Sequence, residues 1–148
     1  MASFRYSFQK VVDLKSSEKT QAEWVLSSAI GVLAAEENML ERLRAEKSDW
    51  ENKLQEAAQS STALAELQVI QHYVEHLESC IASKVSDVRQ AQKVVDQSRL
   101  MLSDKMKDEK VWLKAKDHAR ERFQHAVQLK EQNELDELAS VRFMLSTP

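Results

Sequence analysis

Apolar residues recur along this chain in alternating steps of three and four, as they do in a helix that buries one stripe. From Phe8 the ladder visits Val12, Lys15, Lys19, Ala22, Leu26, Ala29, Leu33, Glu36, Leu40, Leu43, Lys47, Trp50, Leu54 and Ala57. Eleven of these fifteen are apolar, and the residues between them are mostly polar. Carried onward in the same phase, the ladder reaches Ser61, Leu64, Gln68, Gln71, Glu75, Glu78 and Ala82, where only two of seven are apolar. A new ladder fits instead: Leu67, Ile70, Val74, Leu77, Ile81, Lys84, Val88, Ala91, Val95, Ser98 and Leu102, nine of eleven apolar. The break coincides with Gln59-Ser60-Ser61-Thr62. Serine and threonine compete for backbone hydrogen bonds and serve as helix N-caps. One continuous helix with a stutter is the alternative. The agreement of phase break and polar cluster favours a turn.

The pattern therefore predicts an all-α fold, an antiparallel two-helix coiled-coil hairpin forming a single domain over residues 1–148. Helix one is expected over about residues 4–58, the turn over about 59–62 and helix two over about 63–142. At ~1.5 Å per residue the second helix outruns the first, so roughly the last thirty residues should extend beyond the paired region. From Ser103 to Glu137 there are eight basic and nine acidic residues, and the apolar positions keep helical spacing without a clean heptad. Mixed charges at that spacing suit a solvated face with i,i+4 pairs. The turn end differs: Leu54 to Ser83 contains no Lys or Arg, and its acids are Glu56, Glu66, Glu75 and Glu78.

Composition agrees with few turns. There is one glycine, Gly31, and one proline, Pro148, with 30% charged and 6% aromatic residues. Turns draw on glycine and proline for their dihedrals, so a globular core with many of them is excluded. A net charge of −3 argues against nucleic acid as a partner. No apolar run approaches the ~20 residues needed to span a bilayer. One cysteine, Cys80, excludes an internal disulfide and suits a reducing compartment. The cytoplasm is the expected location.

Candidate chemistry is sparse. His72-Tyr73-Val74-Glu75-His76 matches the H-x-x-E-H spacing of inverted zinc proteases. Two helices offer neither a third ligand nor a cleft, so no catalytic or metal site is expected beyond adventitious binding at His72 and His76. With one glycine there is no phosphate-binding loop, and no cofactor is expected. His76 lies one turn before Cys80, which leaves thiol activation open beside the simpler reading of Cys80 as a small helix residue. His118 and His125 share a face and read as solvated. Trp50 falls on the first ladder and reads as seam. Trp24 and Trp112 lie off the two ladders. Each is either a partner anchor or an indole packed on the seam edge.

The N-terminal run Phe4-Arg5-Tyr6-Ser7-Phe8-Gln9-Lys10-Val11-Val12-Asp13-Leu14-Lys15 resembles the opening of the FliJ family, small cytoplasmic proteins of bacterial flagellar type III export. The run Glu134-Leu135-Asp136-Glu137-Leu138-Ala139 resembles that family's acidic C-terminal signature. The resemblance implies a hairpin similar to the central stalk of rotary ATPases, with no active site. It implies binding to the hexameric export ATPase, to the FlhA export gate and to export chaperones, peripherally at the cytoplasmic side of the membrane. It puts the gate-contacting surface at Met39, Leu43 and Trp50 of helix one and at Tyr73, Leu77, Cys80 and Lys84 of helix two. The second set has i, i+4, i+7, i+11 spacing and forms one stripe. Glu46 stands where the family often has an aromatic residue, and Leu77 also belongs to the seam ladder. The reading from a different class is a structural coiled coil that associates with itself and has no export role.

Overall fold

The computed structural model describes residues 3–146, and two helices account for nearly all of them. Helix α1 spans Gln9–Gln59 and α2 spans Leu64–Ser146. They pack against each other as an antiparallel hairpin, with no strand among the described residues. Ser60 to Ala63 make the reversal. The Ser60 hydroxyl donates to the Ala57 carbonyl at 3.2 Å and shares a 2.9 Å hydrogen bond with the Thr62 hydroxyl. These hydroxyls therefore serve the end of α1. Ala63 caps the start of α2 from just outside it, its carbonyl accepting from the amides of Glu66 and Leu67, and Glu66 sits in the first turn, where a negative charge suits the helix dipole.

The chain falls into two compact units, one over Gln21–Ser103 and one over Met1–Thr20 with Asp104–Pro148. In the first unit the heptad ladder is realised residue by residue. From Ala22 to Ala57 every ladder position is buried or half-buried, and every residue between them is exposed. On α2, Leu67 to Leu102 repeat the pattern, with Cys80 and Val85 additionally half-buried. The driest positions are Val95, Val74 and Leu77, at 1%, 3% and 3% exposed. Ala22, Ala29, Ala91 and Ser98 fill other buried positions with small side chains. Ser98 satisfies its hydroxyl on the Val94 carbonyl at 2.8 Å. Two polar seam positions meet each other: Lys84 donates to Glu36 at 2.9 Å.

The second unit corrects two expectations. The heptad does not lapse after Leu102. Its half-buried positions continue as Lys105, Glu109, Trp112, Lys116, Ala119 and Phe123. Three of the six are ionised, which hides the pattern in the sequence. Two of those three find partners on α1: Glu109 accepts from the Ser16 hydroxyl at 2.7 Å and from Lys19 at 3.0 Å, and Lys105 lies 3.4 Å from Glu18. Nor do thirty residues lie past the paired region. Ser3 to Tyr6 are not helical, and they run on past the start of α1 to bring Phe4 against Phe123, with ring centroids 5.6 Å apart. A non-helical segment advances up to ~3.3 Å per residue against ~1.5 Å in a helix, so a few residues cover several turns of α2. Continuous exposure begins only at Gln128.

Candidate protein-binding site

Near the turn, side chains from both helices of the Gln21–Ser103 unit build an aromatic patch. Tyr73 leaves α2 beside the seam and donates its hydroxyl to the Glu46 carboxylate of α1 at 2.6 Å. That bond to a carboxylate, with partial burial and the Glu46 charge, raises the Tyr73 pKa above its ordinary value of 10.0. The Trp50 ring meets Tyr73 edge-on, centroids 4.9 Å apart. The Lys53 ammonium lies 4.3 Å from the Trp50 centroid. One turn along α2, His76 is 6.2 Å from Tyr73 by ring centroid, and its Nε2 is 3.5 Å from the Cys80 Sγ. The patch thus joins two flat rings, an imidazole, a thiol and a carboxylate on one surface.

The residues predicted for gate contact take different positions on it. Tyr73 is 36% exposed and Met39 48%. Leu43, Trp50, Cys80 and Lys84 are half-buried. Leu77 lies in the seam at 3% exposed and supports the stripe from beneath. Lys84 reaches Glu36 and, at 3.4 Å, Asp87. The Glu36 hydrogen bond raises its pKa despite opposing desolvation, which fixes its charge. Glu46 was noted in the sequence only as a departure from family pattern. Its hydrogen bond to Tyr73 makes it part of the patch, a pairing that only the register between the helices discloses.

Other candidates resolve more simply. His72 is exposed and sits 3.6 Å from Glu75 on its own helix. Among the described residues no group of three or more His, Cys, Asp or Glu could hold a metal ion. Trp24 is 74% exposed, whereas Trp112 is half-buried against Phe8 at 5.9 Å between centroids. His118 is exposed beside Glu121 at 3.7 Å. A second surface was not assigned from sequence. In the other unit, Phe4, Tyr6 and Phe8 edge a groove of about 750 Å³ with Trp112 and His118, and Arg120 stands 5.7 Å over the Phe4 ring. Its signal was the alternation of three aromatics at positions 4, 6 and 8. No helix among the described residues is long and apolar enough to cross a membrane.

The family model described as flagellar FliJ protein matches residues 4–147. The chain belongs to the FliJ family. Membership makes it a component of flagellar type III export. The solved structure of a chain described as a YscO homolog, CT670, from Chlamydia trachomatis shares the fold with a TM-score of 0.59, at 17% identity and 97% coverage of both chains. No curated protein matches the sequence. The family match spans both aromatic surfaces, the FliJ-like N-terminal run and the turn-proximal patch alike.

Proposed function

We propose that this chain is a non-enzymatic adaptor of flagellar protein export. In this reading it binds the hexameric export ATPase and the FlhA gate, assists export chaperones, and works at the cytoplasmic side of the membrane. The gate-binding surface is Met39, Leu43, Trp50, Tyr73, Cys80 and Lys84, with Leu77 as its support. One observation carries the assignment: the Tyr73–Trp50–Glu46 cluster, built from both helices and left accessible beside the turn. Rigid aromatics with a polar tip concentrate binding energy at protein interfaces. The neighbouring stretch Leu54 to Ser83 carries four acids and no Lys or Arg, which favours a basic partner surface.

Titration of the purified chain against the cytoplasmic domain of the gate and, separately, against the export ATPase tests the reading. Saturable 1:1 binding to the gate domain, weakened by Tyr73→Ala with the helical content unchanged, is expected. Binding to neither partner, with concentration-dependent self-association instead, would replace the adaptor with a self-assembling coil.

A further inference from the structure

Heptad positions flanking the seam divide the Gln21–Ser103 unit into two unlike sides. One side carries Ile30, Glu37, Arg44 and Glu51 of α1 with Glu78 and Arg99 of α2. These are mostly charged, as the flanks of an isolated two-stranded coil usually are. The other side carries Val25, Val32 and Met39 of α1 with Tyr73, Val94 and Met101 of α2. These six are apolar or aromatic, with exposures from 36% for Tyr73 to 54% for Val32 and Met101, and Glu46, Lys53, Cys80 and Asp87 share the flank and interrupt it toward the turn. Contacts confirm the assignment of sides. Tyr73 meets Glu46 across this second flank, and Lys47 lies 3.4 Å from Glu78 across the first.

Between Val25 and Glu36 the apolar flank hollows into a groove of about 590 Å³. Its floor is Ala29 and Ala91, both buried in the seam, and its walls are Val25, Val32 and Val94. Alanines on the floor let another backbone come close, and the valines supply two apolar walls. The rim residues Ser28 and Gln90 are uncharged. Charge enters only at one end, through Asp87 and Glu36, which share the single cation Lys84 at 3.4 Å and 2.9 Å. The end of the groove is therefore net negative by one.

We propose that this groove docks an amphipathic helix from another protein, one carrying a lysine or arginine beside its apolar stripe. Val25 and Glu36 are eleven positions apart, so the groove is ~17 Å long, about three turns of such a helix. Charge selects against a second copy of this chain. Grooves apposed in parallel bring two net-negative Glu36–Asp87–Lys84 clusters toward one another, and grooves apposed antiparallel set each cluster against the other's uncharged end, where it gains no cation. The chain's own exposed leucines, Leu135 and Leu138, are bordered by Glu134, Asp136 and Glu137, which repel the same cluster. A helix with a basic flank relieves Asp87 and covers the valines together. The groove lies farther along the chain from the turn than the Tyr73 patch, and the inference does not depend on what binds that patch.

Two fluorescent synthetic 18-residue helical peptides test it against the full chain. Both carry one leucine stripe; one is flanked by lysines, the other by glutamates. The lysine peptide should bind about tenfold or more tightly than the glutamate peptide. Asp87→Lys should invert that preference, whereas Glu37→Lys, the same charge change on the opposite flank, should leave it standing. Val32→Ser with Val94→Ser should weaken the lysine peptide about tenfold at unchanged helicity, because both side chains are already largely exposed. Ile30→Ser, on the opposite flank, should leave affinity unchanged. The proposal fails if the lysine peptide does not bind, if both peptides bind equally, or if Glu37→Lys acts as Asp87→Lys does. It also fails if sedimentation shows a dimer that the two serine changes dissolve, since the groove's occupant is then a second copy.

Discussion

Tyr73 of α2 donates its phenolic hydrogen to the carboxylate of Glu46 of α1, 27 positions earlier, at 2.6 Å. The bond holds the phenol in its protonated form and raises its pKa above 10.0, with partial burial and the Glu46 charge acting in the same direction. A raised folded pKa means that the stability contributed by the phenol is fully present below pH 10 and is lost as pH rises through the folded value. Phenolate absorbance of the folded protein should therefore show one tyrosine titrating late. Glu46→Gln should return it toward pH 10. If that substitution leaves the titration unmoved, the inter-helix bond does not form in solution.

The same residue separates contact from core. Tyr73→Ala should weaken gate binding about 5- to 100-fold, the range for truncating an anchor, with a smaller fall in melting temperature than a seam truncation gives. Leu77→Ala removes a side chain only 3% exposed and should lower stability by about 2–5 kcal/mol through transfer and cavity terms. Measured together, affinity and melting assign each residue. A Tyr73→Ala variant that melts early yet binds normally makes Tyr73 part of the seam.

Glu109 predicts an acid-side transition. The Ser16 hydroxyl and then Lys19 hold its carboxyl below the ordinary 4.5. A depressed carboxylate pKa contributes stability that is present above the unfolded value and lost as pH falls through the folded one. Thermal melts should show wild type more stable than Glu109→Gln at pH 6, with the gap closing below pH 4.5. A gap independent of pH would mean that packing, not charge, sets the difference.

How much of this was legible beforehand depends on what fills each seam position. Between Ala22 and Ala57 the ladder read from sequence coincides with the burial pattern, because leucines and alanines mark the seam and only Glu36 and Lys47 interrupt it. Past Leu102 the same periodicity persists, but Lys105, Glu109 and Lys116 occupy it, and hydropathy cannot register an ion whose partner sits on the other helix. The Phe4–Phe123 contact was invisible for a related reason. Helical spacing says nothing about a segment that leaves the helix. In the candidate site, Tyr73 and Trp50 were identifiable as aromatics near the turn. Their union with Glu46, and the contrast between the two flanks, require the register of α1 against α2.

Gly31 offers a test of the helix itself. It lies mid-α1 on the solvent side, and a Cβ built there meets nothing within 4 Å. Alanine has about 0.5–1 kcal/mol better helix propensity than glycine in such a position. Gly31→Ala should raise the melting temperature and leave partner binding intact. A fall in melting temperature would reveal that the helix bends at Gly31 in solution.

The last prediction concerns the end of α2. From Gln128 to Ser146 every residue is exposed, including Leu129, Leu135 and Leu138 at 54%, 60% and 61%. Helices of this length are stable in water chiefly when an apolar face is covered, so this end should open more readily than the seam. Amide exchange in the free protein should be fast from Gln128 onward and slow from Phe123 back toward Leu102, where Phe4 and Phe8 cover the helix through Phe123 and Trp112. If this end is where the export ATPase binds, saturating ATPase should protect Gln128 to Ser146 while leaving exchange around Tyr73 unchanged. Protection at Tyr73 alone would move the ATPase contact to the turn. Unchanged exchange throughout a saturated complex would take the exposed end of α2 out of the interface.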